Sequence, residues 1–401
     1  MLLPAGVAPE ARLLLFGRAL RSFADGFVAI LLPVYLLALG LGRWEVGLIS
    51  TVTLLGSALA SLAVGRWGHR CAPRRLLLAA TWLMCGTGLL LAGLTDFWPL
   101  LLVAFAGTMN PGSGDVSVFI PLEHARLAES AHGEAITHLF ARYTFVGAFC
   151  AAAGALAASI PQALTDAGMA ELDALRLMFV AYGMAGITLF FLYRELPDHP
   201  VHGQVVPPTP LGPSRAIVIR LAALFSVDAF AGGLLVHTLL ALWLFERFDL
   251  SLTAAGRFFF WSGLLSAASQ LAAPWIARRI GLVNTMVYTH LPSSVCLILA
   301  AFADSLPVAL ALLFLRSALS QMDVPTRSAL VMAVVTPAER VAAASFTTVP
   351  RSLAAAASPA IGGALFAAGW MAAPLVACGV LKIAYDLALW RAFRRHAVHS
   401  S

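Results

Sequence analysis

Long apolar runs alternate with short polar breaks along the whole chain. About 20 apolar residues are needed for a helix to cross the hydrocarbon of a bilayer. On that ruler twelve segments qualify: 14–40, 46–66, 75–95, 98–122, 135–160, 174–193, 215–244, 253–277, 281–302, 306–334, 341–368 and 370–392. Backbone polar groups cannot go unpaired in lipid, so these runs predict helices. The period-2 alternation of a membrane barrel is absent. The longest polar break, YRELPDHPVHGQVVPPTPLGPSR (193–215), is proline-rich and carries no apolar period. It predicts a linker, 194–214, between an N-terminal half, 1–193, and a C-terminal half, 215–401.

Two runs interrupt their own pattern. GSGDVSVF (112–119) and SQMDVP (320–325) put Asp115 and Asp323 inside apolar segments, beside Pro111, Gly112, Gly114 and Pro325. Proline and glycine free backbone groups and let a span bend. Such sections are either broken helices at a binding cavity or kinks that permit close packing. The two stretches also belong to a repeat. SFADGF (22–27) matches SVDAFA (226–231), pairing Asp25 with Asp228; GDV (114–116) matches MDV (322–324), pairing Asp115 with Asp323. ARYTFVG (141–147) loosely matches PRSLAAA (350–356), pairing Arg142 with Arg351. The offsets of 203, 208 and 209 residues run in order along the chain, which indicates a duplicated six-helix unit.

Composition sharpens the class. Hydrophobic residues make up 60% of the 401 and charged residues 11%, against about 25% charged in a soluble domain. Most of the surface must therefore face lipid. Net charge is +6, from 25 Arg and one Lys, Lys382. The cations sit mainly between apolar segments and form no nucleic-acid face. RWGHRCAPRR (66–75), Arg278 with Arg279, and RAFRRH (391–396) make one set of connections basic, while TDFW (95–98) and ADSLP (303–307) carry no cation. The positive-inside rule places the basic connections and both termini in the cytoplasm. Arg12 precedes a long apolar stretch with no cleavage site, so the first run is expected to remain as a span. The five cysteines are scattered without a CxxC and read as apolar filler.

Two six-span halves, a central linker and a basic loop after the second span resemble the major facilitator superfamily. That family's loop reads G-x-x-x-D-[RK]-x-G-[RK]-[RK], with one extra residue allowed. GRWGHRCAPRR (65–75) keeps Gly65, Arg70, Arg74 and Arg75, but has His69 in place of Asp and Ala72 in place of Gly. The resemblance implies an all-α integral membrane fold of twelve transmembrane helices in two pseudo-symmetric bundles. It also implies a central cavity lined by spans one, four, seven and ten, which here hold Asp25, Asp115, Asp228 and Asp323. The family's drug/proton exchangers carry G-P-x-x-G-G in span five; SPAIGG (358–363) lies in span eleven here and is a hint of export.

A carboxylate at membrane depth is costly, so it has a partner or a task. Two Asp/Asp/Arg clusters are expected, Asp25–Asp115–Arg142 and Asp228–Asp323–Arg351, each with one surplus proton site. They would gate the cytoplasmic side or carry protons; a structural salt bridge is the competing reading. Arg21 can pair with Asp25 at i,i+4, and Lys382 with Asp386. Arg316 and Arg327 add positive charge to the cavity lining and favour a carboxylate or phosphate. Phe27, Tyr35, Phe230 and Trp243 are candidate cavity aromatics, with burial in the core the competing reading. No metal site is expected, since His237 and His290 lack a ligand at i+4. No HExxH, GxSxG or Walker-type GxxxxGK[ST] is present, which argues against a membrane enzyme or an ATP-driven module. The expected activity is secondary transport, without cofactor, with a small-molecule substrate, protons and the lipid bilayer as partners, in a monomer of a bacterial inner membrane.

Overall fold

The computed structural model describes residues 8, 10–68, 71–112, 117–130, 134–197, 211–336 and 339–393. The N-terminal half contains α1 (Ala11–Ala38), α2 (Arg43–Trp67), α3 (Pro73–Gly93), α4 (Phe97–Ala106), α5 (Phe119–Glu129), α6 (Glu134–Ala157), α7 (Ile160–Asp166) and α8 (Glu171–Arg194). The C-terminal half contains α9 (Arg215–Gly233), α10 (His237–Phe248), α11 (Leu252–Ile280), α12 (Leu282–Ala301), α13 (Leu306–Ser320), α14 (Asp323–Val334), α15 (Arg340–Ala357), α16 (Pro359–Ala367) and α17 (Ala373–Phe393). Among the described residues, nine helical stretches are long and apolar enough to cross a membrane. The remaining spans are α11 and the broken pairs α4–α5 and α15–α16. Twelve spans result, as two six-helix bundles.

Five spans are broken: α4–α5, α6–α7, α9–α10, α13–α14 and α15–α16. Both irregular stretches of the sequence fall at such breaks. GSGDVSVF lies between α4 and α5, with residues 113–116 outside the described set. SQMDVP spans the step from α13 to α14, and Asp323 and Pro325 open α14. A carboxylate there meets the positive end of the helix dipole, and a proline in the first turn forfeits no helical hydrogen bond. Pro359 starts α16 in the same way.

The packing repeats between halves. α1 lies on α6 and α3 on α8; six spans later, α9 lies on α15 and α12 on α17. The halves meet through α2 with α15 and α16, through α6 with α11, and through α1 with α10. Several polar ties across this interface lie at the end opposite the termini. Arg43 pairs with Glu246 at 2.5 Å and donates to the carbonyl of Phe366 at 3.2 Å. Gln162 Oε1 accepts from the Thr253 amide and hydroxyl at 3.2 and 3.0 Å. The Ala360 amide donates to Thr51 Oγ1 at 2.7 Å. Gly47 and Gly363 face each other so closely that a Cβ on Gly47 would stand 2.7 Å from Gly363 Cα and from the Pro359 carbonyl oxygen. Small residues allow helix backbones this approach where lipid supplies no driving force of its own. Large apolar side chains such as Trp82, Trp98, Leu102, Leu271 and Phe302 are exposed on the outside, as a lipid-facing surface requires.

Candidate functional site

The halves close over the middle of the protein at one joint. Pro33 sits inside α1 and has no N–H, so the carbonyl of Ala29, four residues earlier, loses its helical donor. Thr238, the second residue of α10, supplies one from the other half: its Oγ1 lies 3.0 Å from the Ala29 carbonyl and 3.0 Å from that of Pro111. The Thr238 amide also donates to Pro111 at 3.1 Å. Thr238 is fully buried. On the terminus side of this joint, Asp25, Gly26, Phe230, Arg316 and Arg351 keep partial exposure at membrane depth. The crevice between the halves therefore opens toward the termini.

Each half carries a buried ionic cluster on that side. In the N-terminal half Arg21 of α1 donates to Glu123 of α5 at 2.7 Å, and approaches Tyr143 Oη at 3.3 Å and Ser117 Oγ at 3.4 Å. Tyr143 of α6 also donates to Glu123, as does Tyr193 of α8 at 2.5 Å. Arg18 stacks on Tyr143, 5.0 Å from the ring centre, and Arg21 on Phe119 at 4.9 Å. Charge-assisted bonds from three other elements thus fix one carboxylate.

In the C-terminal half Asp228 of α9 is the hub. Lys382 of α17 donates to it at 2.7 Å, and Arg327 of α14 reaches it at 3.5 Å while pairing with Asp323 one turn away. His290 of α12 lies between: Nδ1 is 3.1 Å from both oxygens of Asp386, and Nε2 is 3.3 Å from Lys382 Nζ and 3.9 Å from Asp228. An ammonium can only donate, so Lys382 bonds to Nε2 when that nitrogen carries no proton, and Nδ1–H then points to Asp386. Tyr385 packs its ring edge against His290, 6.2 Å between centres.

The sequence-derived residues fall out unevenly. Asp228 and Asp323 do share one cluster, but Arg327 bridges them in place of Arg351. Arg351 lies within charge range of both acids with its Nε buried and unbonded. Asp25 lies within charge range of Arg18 and Arg21, and its Oδ1 is buried without a hydrogen-bond partner among the described residues. Arg142 is half-buried on α6; Asp115, His69 and Arg70 lie outside the described residues. Arg21 belongs to the ionic cluster and not to a cavity wall, since Glu123 outcompetes the helical neighbour Asp25. Lys382 and Asp386 do not pair along their helix: each turns to a partner on another span. Tyr35 is core, its hydroxyl donating to Leu91 at 2.5 Å and its ring 4.5 Å from that of Phe179. Trp243 is core too, packed against Phe248. Phe27 is buried against Phe23, whereas Phe230 stays half-exposed. In the loop motif, Gly65 is exposed, Arg75 is exposed, and Arg74 donates to the Arg194 carbonyl at 2.5 Å, tying the loop to the end of α8.

Sequence reasoning took Glu123 only as the cytoplasmic end of the fourth span, missed Tyr143, Tyr193 and Thr238, and set His290 aside. The one available signal was the proline rule: Pro33 marks Ala29 as an unserved carbonyl, though not its donor.

Comparison with known proteins places this arrangement. The family model described as Major Facilitator Superfamily matches residues 14–303. The uncharacterised membrane protein YJR124C of Saccharomyces cerevisiae is 24% identical over 406 residues, covering 92% of this chain and 91% of its own. In fold the chain is similar to a bacterial homologue of the human lysosomal transporter Spinster in an inward-facing, occupied conformation. That match has TM-score 0.76 and 15% identity, and covers 98% of both chains. It is also similar to the nucleoside transporter NupG, with TM-score 0.75 and 15% identity, over 96% of this chain and all of that one. The chain belongs to the Major Facilitator Superfamily and is an integral membrane transporter of a solute.

Proposed function

We propose that this protein is a proton-coupled secondary transporter that exports a small organic solute from a bacterial cytoplasm by alternating access. The halves 1–193 and 215–401 rock against each other about the linker 194–214, both termini are cytoplasmic, and the working unit is a monomer. In that orientation the described conformation is open to the cytoplasm and sealed outside.

The observation that carries proton coupling is the buried chain Asp386–His290–Lys382–Asp228–Arg327–Asp323, which joins α17, α12, α9 and α14. A proton added at His290 Nε2 turns the imidazole from acceptor to cation. It then opposes Lys382 at 3.3 Å and competes with it for Asp228. Arg327 shares Asp228 with Asp323, so the change reaches the break in the tenth span. Among the described residues, Tyr385, Arg351 and Cys378 also face this chain. Buried ionisable groups across several spans are the usual material of proton relays. Export rests on SPAIGG, whose Gly363 lies against Gly47 at the sealed end.

The test is proton flux in proteoliposomes with an internal pH dye and candidate solutes added outside, in wild type, His290→Gln and Asp228→Asn. Coupling predicts solute-driven flux that His290→Gln abolishes while solute exchange continues. Undiminished flux in the folded variant sinks the relay; solute movement with no proton signal in wild type makes the protein a uniporter; co-directional proton movement makes it an uptake symporter.

A further inference from the structure

Among the described residues, Arg316 is a cation at mid-membrane with no carboxylate paired to it. It lies ten residues into α13, roughly 15 Å from that helix's outer end, and so near the middle of a hydrocarbon layer about 30 Å thick. In the cluster on the terminus side, three carboxylates, Asp228, Asp323 and Asp386, stand against three cations, Arg327, Lys382 and Arg351. Arg316 is left over. Among the described residues its guanidinium has no ion pair or hydrogen bond, and its electrostatic neighbours are Cys378 of α17 and His237 of α10. It retains partial exposure. An unpaired guanidinium at this depth is expensive, and the cost is removed when the counter-charge arrives with another molecule.

The surroundings suit such an arrival. His237 opens α10, eleven residues from its outer end and so roughly 16 Å along the helix axis, at the depth of Arg316. The next residue, Thr238, closes the joint between the halves, so both groups lie where the terminus-side crevice ends. The His237 imidazole is half-buried, makes no hydrogen bond among the described residues, and rests 5.2 Å from the ring of Phe259. Phe259 in turn packs on Phe258, and Phe258 on Phe314, which forms an apolar wall. A planar fork of donors and a second N–H in a largely apolar setting together match a small ligand with an anionic head and an apolar body.

Deepening the transporter reading above, on which it rests, we propose that the transported solute is a small organic anion bearing one carboxylate or phosphate. Arg316 is its counter-charge and His237 a second donor, with the buried ring of Phe259 beneath the imidazole.

The full-length protein in detergent would be titrated by thermal shift with benzoate, phenyl phosphate, benzamide and inorganic phosphate, alongside Arg316→Gln and Arg316→Lys. Saturable stabilisation by benzoate or phenyl phosphate, and not by benzamide or inorganic phosphate, is expected; which of the two acts identifies the head group. Arg316→Gln should weaken it about 10- to 100-fold, the worth of a charge-assisted hydrogen bond, and Arg316→Lys should retain the preference for anions. Equal stabilisation by benzamide, no stabilisation by either organic anion, or undiminished anion affinity in folded Arg316→Gln overturns the proposal. The two readings fail separately. Anion binding without solute-driven proton flux refutes coupling and leaves the site standing. Proton-coupled movement of benzamide refutes the anion site and leaves coupling standing.

Discussion

Replacing Thr238 with valine should shift the conformational equilibrium while leaving the fold intact. The two side chains have nearly the same shape, so packing at this buried position is preserved. What disappears is the hydroxyl that serves the Ala29 carbonyl, whose helical donor Pro33 cannot provide. Pro111 keeps the Thr238 amide at 3.1 Å, so one carbonyl is orphaned rather than two. A buried carbonyl left without a donor costs about 1–3 kcal/mol. The cost falls only on the state in which the halves are closed at this joint, because water reaches Ala29 once they part. The population ratio should therefore move roughly 5- to 150-fold toward the state that is open at the end opposite the termini. Spin labels at Ala38→Cys and Arg247→Cys, both exposed at the sealed end, would report the distance distribution in a background without the native cysteines. Thr238→Val should enrich the long-distance population, and Thr238→Ser, which keeps the hydroxyl, should not. A distribution unchanged in Thr238→Val would show that the joint does not hold the halves together.

Three further outcomes follow from the same geometry. Lys382→Met leaves Asp228 with only Arg327 at 3.5 Å among its strong cations, and should cost about 3–5 kcal/mol in thermal melts, largely recovered by adding Asp228→Asn; a double variant no better than the single one refutes the pairing. Gly47→Ala drives a Cβ into backbone atoms of Gly363 and Pro359, at a cost of about 1–3 kcal/mol to the sealed interface, and should widen the same label distance; an unchanged distance would mean α2 and α16 yield locally. Glu339, in the loop before α15, is held at a pKa of about 2 by hydrogen bonds from Ser214, the Gly212 amide and Thr336, where the linker joins α9. A lowered pKa stabilises this clamp above the ordinary value of 4.5, and the stabilisation is lost as pH falls from there through about 2. Amide-exchange protection of residues 212–215 should drop over that window in wild type and stay low throughout in Glu339→Gln.

The sequence was legible wherever one physical demand acts alone. Lipid demands runs of about 20 apolar residues with their backbones internally bonded, so twelve spans and their order could be read from hydropathy. The repeat of Asp25 with Asp228, and of Asp115 with Asp323, revealed the duplication because both halves carry the same costly residues at matching points of their apolar runs. Pro325 and Pro359 marked helix restarts, since proline forbids only one local geometry.

Pairing was not legible, because it is settled between helices far apart in sequence. Local spacing offered Arg21 to Asp25 and Lys382 to Asp386, yet Arg21 took Glu123 and Lys382 took Asp228. An i,i+4 pair on a helix is worth only a few tenths of a kcal/mol, whereas a buried charge left without a close partner costs several. The tertiary arrangement therefore overrules spacing whenever a neighbouring span offers a better oxygen. Aromatic periodicity likewise could not separate Tyr35 and Trp243 in the core from Phe230 in the crevice, since both faces of an inner span are apolar. The chain by itself determined that it crosses the membrane twelve times as two related halves. Only the folded structure decided which charges cancel, that Arg316 has no paired carboxylate among the described residues, and that Thr238 joins the halves beside it. Those outcomes depend on distances between helices, which hydropathy does not encode.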